Sequence, residues 1–202
     1  MSGTHRGGSL TLAVRRWLAQ RPIARPRPAP HDAVTHDWPA DPHEIPSPQL
    51  VAAWLTLDTL PTKRIPLWVA RWIAAGHDGQ ALTELAGLRG DDPHGVRDLL
   101  PKALAECGVT APADPSQEQE RAAAMVAFTA IARLQASGRA SERWVVDKVV
   151  RIAEPYFDRA IISLPLGQLH ALYDEWGAGW GRKDEQLRAA FSLERAKGIE
   201  PS

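Results

Sequence analysis

The sequence lacks the residues on which several classes of protein depend. Its single cysteine among 202 residues excludes a disulfide framework and any cysteine-rich zinc site. Its apolar runs fall well short of the roughly 18 residues that a membrane-spanning helix needs. Lys+Arg and Asp+Glu each number 24, so the zero net charge argues against binding nucleic acid or anionic membrane through overall charge. We expect a cytoplasmic protein without a membrane span, since one unpaired thiol suits a reducing compartment.

Basic residues are concentrated at the start of the chain. Residues 1–30 contain six arginines and no acid, but Arg15 and Arg16 follow a short apolar run instead of preceding it, which is unlike a secretory signal. Leu10, Val14 and Trp17 would share one helical face beside these arginines. This segment is therefore interpreted either as a frayed extension or as a basic anchor for membrane or RNA.

Proline becomes dense from residue 21 to residue 48 and favours extended backbone over helix or sheet. Histidines and carboxylates between His31 and Glu44 could ligate a metal such as zinc. A proline-rich linker rarely supplies the second-shell support that a metal site needs, so we interpret the segment as a solvated linker. Residues 1–46 are predicted to be a disordered, basic and proline-rich extension.

Helical periodicity begins at Ser47 and continues almost to the end of the chain. Helix caps are predicted at Ser47, Asp92, Ser116 and Ser141, and helix ends at Gly76 and Gly138. An apolar stripe runs from Ile65 through Trp68 to Trp72 and Ile73. The pattern predicts an all-α fold of about eight helices in two packed clusters, over residues 47–110 and 116–193. It also predicts a buried Trp72, a kink or break at Pro101, and a helix from Ser163 through Trp176.

Few side chains have a spacing typical of catalysis or cofactor binding. Cys107 ends an apolar stripe and is interpreted as a core thiol. His77 and His94 have no evident partner, and His170 with Asp174 is interpreted as a structural pair. Asp174 and Glu175 would diverge by about 100° on a helix. The glycine-rich run over residues 177–181 follows a helix and lacks the residues of a phosphate loop. We predict a non-enzymatic protein with no catalytic residue, cofactor or metal.

Several short segments carry a resemblance to other proteins. They are Trp54–Pro61, Ala75–Asp78, Leu85–Leu88, Leu164–Gln168 and Asp174–Gly177. Over about residues 48–192 the chain resembles a group of small all-helical proteins of actinobacteria. That group has no established activity, so the resemblance implies an origin and no site residues.

The last nine residues have a separate resemblance. The stretch Glu194–Ser202 is similar to tails of bacterial reading frames that run into a neighbouring transfer-RNA gene. If the tail has this origin, it should be exposed and without function. The alternative is an ordinary C-terminus.

Two classes of function remain for a protein of this kind. The first is a helical protein–protein interaction or regulatory protein, of the adaptor or partner-neutralising type, with an unidentified protein partner. The alternative is a nucleic-acid-associated protein that uses the basic N-terminal segment, although balanced charge makes nucleic acid the weaker expectation. Trp180 and Arg182 are the predicted partner-binding residues, because both residue types are enriched in binding hot spots. The competing interpretation is that Trp180 joins the last two helices.

Overall fold

A computed structural model describes residues 44–154, 159–175, 181 and 183–199 of the chain. All regular structure within these residues is helical, which confirms the predicted all-α fold. Two 3-10 helices, Thr62–Arg64 and Gly167–Leu172, accompany eight α-helices. The α-helices are α1 (Pro48–Thr56), α2 (Ile65–Ala74), α3 (Gln80–Ala86), α4 (Pro93–Glu106), α5 (Gln117–Ala136), α6 (Glu142–Ala153), α7 (Arg159–Ile162) and α8 (Asp184–Ile199).

Short polar side chains fix where four of these helices begin. The hydroxyls of Ser47 and Ser141 accept hydrogen bonds from backbone N–H groups in the first turns of α1 and α6, and Asp92 does the same for α4. At α5, Ser116 and Gln119 form a reciprocal capping box. Each cap satisfies a backbone donor that the helix itself cannot satisfy, and is worth about 1 kcal/mol.

Helix α3 is capped by a residue distant in sequence. Glu106, the last residue of α4, accepts hydrogen bonds from the N–H groups of Ala81 (3.0 Å) and Leu82 (2.8 Å). A carboxylate at this position also interacts favourably with the positive end of the helix dipole. The cap therefore fixes the start of α3 against the end of α4.

One continuous core joins the helices. Helix α3 packs on both α2 and α4, while α1 packs along α5, and α5 also contacts α6 and α8. The indole rings of Trp54 on α1 and Trp68 on α2 lie 5.8 Å apart. Buried side chains from both predicted clusters belong to the same core. The division into two helical subdomains, over residues 47–110 and 116–193, stays a prediction.

The folded part of the chain begins earlier than predicted. The indole N–H of Trp72 donates to the carbonyl oxygen of Pro46 at 2.9 Å, in a buried position. Glu44 forms an ion pair with Arg139. Residues 44–46 therefore make tertiary contacts, and their assignment to a disordered extension was wrong. The rest of that extension, residues 1–43, lies outside the described residues.

The helix predicted from Ser163 through Trp176 does not form. Instead, the N–H of Gly167 donates to the carbonyl of Leu164 at 2.9 Å, and Leu166 between them has φ +68° and ψ −26°. These features define a type II turn with Pro165 at its second position. The turn separates α7 from the 3-10 helix that follows, and Trp176 lies outside the described residues.

Two helices extend further than the sequence pattern suggests. Helix α4 continues through Pro101 without a break, so of the two expected outcomes there only the kink stays a prediction. Helix α8 continues to Ile199, and Arg195 donates to the Oε1 atom of Gln135 at 2.8 Å from a half-buried position. The tail is therefore not wholly exposed. None of the described helices combines the length and apolar character that crossing a bilayer requires.

Candidate binding cleft

A cleft of about 430 Å³ opens where the end of α1 meets α5 and α6. The turn after α1 forms one wall, and one face of α6 forms the opposite wall. The lining residues are Trp54, Asp58, Thr59, Leu60, Pro61, Ile131, Trp144, Lys148, Arg151 and Ile152. Its volume lies within the range of about 300–1,000 Å³ that is typical of ligand sites.

The turn after α1 holds its shape through two backbone hydrogen bonds. The N–H of Thr59 donates to the carbonyl of Trp54 (3.0 Å), and the N–H of Asp58 donates to the carbonyl of Leu55 (3.2 Å). This is the Schellman pattern, which places the residue after the C-cap in the left-handed region. That residue is Asp58, with φ +51°.

Three other helices end in the same pattern but with glycine. Gly76, Gly108 and Gly138 follow α2, α4 and α5 with φ values of +104°, +75° and +74°, and each has the same pair of hydrogen bonds. Glycine adopts this conformation without a steric cost, whereas an L-residue pays for it. Among these four helices, α1 is thus the one that has a side chain, and a carboxylate, at the left-handed position.

The Asp58 carboxylate lies close to a basic residue from another helix. Arg97 Nη1 on α4 is 2.7 Å from Asp58 Oδ1, although both side chains are largely exposed. Next to Asp58, the Oγ1 atom of Thr59 is buried and has no hydrogen-bond partner. A buried hydroxyl without a partner costs about 1–3 kcal/mol. The turn therefore has two unfavourable features, the left-handed backbone of Asp58 and the buried hydroxyl of Thr59.

The opposite wall follows from the periodicity of α6. Trp144, Lys148, Arg151 and Ile152 are spaced at i, i+4, i+7 and i+8 and therefore share one face. The Lys148 ammonium lies 5.5 Å from the centre of the Trp144 ring, a cation–π arrangement. On the same helix, Asp147 pairs with Arg143 at 3.3 Å. The face thus combines a buried aromatic ring with two cations nearer the solvent.

The cleft has an apolar floor and a charged mouth. Trp54, Ile131, Trp144 and Ile152 are buried, whereas Asp58 and Arg151 are exposed and Lys148 is half-exposed. Such an arrangement can bury an apolar group of a ligand and hold a charged group beside it. No protein-family model, curated protein or solved structure matches this chain.

The predicted partner-binding residues cannot be placed near this cleft. Trp180 and Arg182 both lie outside the described residues, as does the glycine-rich run over residues 177–180. Gly181 is described and has φ +84°. The hypothesis that Trp180 anchors a partner, and its alternative as a link between helices, both stay predictions.

The other singled-out side chains lie apart from the cleft. Cys107 is half-buried at the end of α4, and burial, followed by the charge of Glu106, raises the pKa of its thiol. His170 lies in a 3-10 helix and forms no ion pair or hydrogen bond with Asp174, so the predicted local pair was wrong. Within the described part of the chain, no group of three or more His, Cys, Asp or Glu side chains is arranged to hold a metal. Apart from Glu44, the residues of the zinc alternative between His31 and Glu44 lie outside that part.

Sequence reasoning assigned the cleft residues to other roles. The periodicity of α6 predicts that some of its apolar residues are buried, and Trp144 and Ile152 are among those that are. Asp58 and Thr59 were named only within the Trp54–Pro61 resemblance. A usable signal was present, because Asp58 occupies the position that glycine occupies after three other helices. The approach of α1 to α6, however, is a tertiary contact that the pattern of either helix does not reveal.

Proposed function

We propose that the protein is a non-enzymatic helical interaction or regulatory protein that binds a protein partner through the cleft beside Asp58. The observation that carries the proposal is the combination of an apolar floor containing two tryptophans with cations at the mouth. Trp and Arg are enriched in the residues that dominate binding energy, and a surrounding rim that excludes water strengthens their contacts. We further propose that this binding takes place in the cytoplasm, where one unpaired thiol is chemically compatible.

Partner capture from the native host tests this proposal. The full chain and a Lys148→Ala/Arg151→Ala variant would serve as baits, and captured proteins would be quantified by mass spectrometry. Truncating both contact residues should reduce recovery of the true partner at least about tenfold, as expected for hot-spot residues. Folding is expected to be retained, because neither side chain is in the core.

A matched control separates the cleft from nonspecific effects of removing charge. Lys102 on α4 and Arg133 on α5 are exposed cations that do not line the cleft. A Lys102→Ala/Arg133→Ala variant should recover the partner as well as the unaltered chain does. Equal recovery by both double variants would show that the cleft is not the binding site.

The nucleic-acid alternative rests on the six arginines of residues 1–30. Replacing all six with glutamine in the full chain removes the charge without shortening the protein. An interaction protein that uses the cleft should keep its partner after this change. Loss of co-purifying RNA or DNA together with loss of the partner would favour the alternative instead.

A further inference from the structure

We propose that the outer face of α2 is a second interaction surface, which binds an acidic helical segment of a protein. This surface is separate from the cleft, and the inference does not rest on the proposed function. Lys63 lies in the 3-10 helix that leads directly into α2, and Leu67 and Arg71 follow on α2 at intervals of four residues. All three side chains are exposed. The surface therefore places one apolar side chain between two cations.

Leu67 is one of the most exposed large apolar side chains in the described part of the chain. It is 54% exposed, and Leu193 on α8 is 62% exposed. Single exposed leucines are common on protein surfaces, so the cations beside them decide whether a surface has a distinct chemistry. The lysine one turn after Leu193, Lys197, lies 2.6 Å from Glu194 and is therefore already paired.

The two cations beside Leu67 are not paired in this way. Neither side chain forms an ion pair, a hydrogen bond or a ring contact with any residue that the structure describes. Residues 59–77 contain no Asp or Glu. The carboxylates of Asp58 and Asp91, on flanking segments, pair with Arg97 and Arg89 instead. The positive charge on this face of α2 is thus available to a partner, and it favours an anionic one.

Helix stability accounts for only one of these cations. Arg71 lies in the last turn of α2, where a cation interacts favourably with the negative end of the helix dipole. Lys63 instead precedes the positive end of α2, and the first turn of that helix has no acidic residue. A cation at this end is unfavourable for the helix. A carboxylate supplied by a partner would offset the charge of Lys63.

The size and chemistry of the surface favour a protein segment over other anionic partners. Lys63 and Arg71 are eight residues apart, or about 12 Å along a helix. A partner helix with two carboxylates at the same interval can reach both cations, and an apolar residue midway between its carboxylates can pack on Leu67. Nucleic acid would offer phosphates to the cations but no apolar contact to Leu67. One leucine also buries too little area to hold this face on an anionic membrane.

Three helical peptides test the inference on the full chain. Each has a central leucine in an alanine-rich helix that is stapled on its opposite face. The residues four positions before and after the leucine are both Glu, both Gln or both Lys. Binding would be followed by NMR through the backbone amide signals of α2. We expect a Kd of about 1 mM for the Glu peptide. The Kd of the Gln peptide should be about threefold to tenfold higher, because two exposed charge pairs are lost, and that of the Lys peptide higher still.

Side-chain replacements locate the binding on this surface. Leu67→Ala should raise the Kd of the Glu peptide about fivefold by removing apolar contact area. Lys63→Gln and Arg71→Gln should each reduce the preference for the Glu peptide over the Gln peptide. Leu193→Ala on α8 is the matched control, because it removes an equally exposed leucine beside a paired lysine, and it should leave the Kd unchanged.

Several outcomes would overturn the inference. Equal binding of the Glu and Gln peptides would do so, as would a Kd that Leu67→Ala leaves unchanged. Binding of phosphatidylserine vesicles or of duplex RNA that Lys63→Gln weakens, without binding of the Glu peptide, would assign the surface to another class of partner. These variants leave the cleft residues intact, so partner capture with the cleft variants tests the proposed function separately.

Discussion

Trp72 is predicted to hold together two parts of the fold, the core of α2 and the segment that precedes α1. Its side chain is 4% exposed, and its indole N–H donates to the Pro46 carbonyl at 2.9 Å. Trp72→Ala removes a large buried ring and leaves a cavity, so the free energy of unfolding should fall by about 3–5 kcal/mol. Trp72→Phe keeps most of the ring but leaves the Pro46 carbonyl without its indole donor, which should cost about 1–3 kcal/mol.

Urea unfolding followed by circular dichroism measures both changes. Leu67→Ala is the matched control, because Leu67 lies on the same helix and is 54% exposed; its effect should stay within about 0.5 kcal/mol. A protease specific for glutamate adds a local readout at Glu44. Trp72→Phe should accelerate cleavage after Glu44, since residues 44–46 lose their anchor. Unchanged stability of Trp72→Ala would refute the core assignment. Unchanged cleavage and stability of Trp72→Phe would refute the anchoring of Pro46.

Three further predictions follow from single side chains. Gly138→Ala should lower the free energy of unfolding by about 1 kcal/mol, because alanine is strained at this positive φ even though its Cβ would meet nothing within 4 Å. Gly167→Ala should lower it by more, up to about 3 kcal/mol, because its Cβ would lie 2.6 Å from the Ile162 carbonyl oxygen. The reverse order of the two variants in urea unfolding would contradict this prediction. Thr59→Val should raise the free energy of unfolding by about 1 kcal/mol by removing an unpaired buried hydroxyl, and a loss of stability would show that the hydroxyl has a partner in solution. The raised pKa of the Cys107 thiol predicts slower alkylation by iodoacetamide at pH 8 in the native protein than in concentrated urea, and the ratio of the two rates should approach one as the pH rises. Since the folded state binds the thiol proton more tightly, the free energy of unfolding should fall as the pH rises through the folded pKa. Equal alkylation rates in both states at pH 8 would contradict the shift.

Local signals predicted much of the helical architecture. Ser47, Ser116 and Ser141 begin α1, α5 and α6 as expected, because a short hydroxyl before an apolar periodic run satisfies the same orphan backbone donors in any context. Gly76 and Gly138 end their helices for an equally local reason, since both adopt the left-handed region. These features depend on a few neighbouring residues, and the sequence contains all of them.

The segment Leu164–Gly167 shows where periodicity misleads. Leu166, Leu169 and Leu172 are all buried, so the apolar positions were identified correctly while the backbone conformation was not. Pro165 followed two residues later by Gly167 is compatible with a type II turn, but that turn usually has glycine where Leu166 stands. Burial of the Leu166 side chain offsets the strain of its positive φ. That compensation depends on tertiary packing, which the local pattern does not contain.

Pro46 and Arg195 illustrate the same limit at the two ends of the fold. Proline density correctly indicates extended backbone near residue 46, but the bond from Trp72 spans 26 residues. Composition likewise gives no indication that Arg195 reaches Gln135, 60 residues away. Both contacts need the helices to be packed before they can form. Composition therefore assigned Pro46 to disorder, and the resemblance of residues 194–202 to a read-through tail gave no sign of the contact made by Arg195.

Asp58 has a left-handed backbone conformation and also lines the proposed site. After α2, α4 and α5, a glycine takes the left-handed position of the same motif, so glycine is compatible with this turn geometry and would avoid the steric cost. The ion pair between Asp58 and Arg97 is largely exposed, and such pairs contribute at most about 1 kcal/mol to the free energy of unfolding. Stability therefore gives little reason for a carboxylate here. The proposed binding site gives a better one, because Asp58 lines the cleft and its ion pair keeps basic Arg97 beside the opening. Residues with a strained backbone are commonly found at binding surfaces.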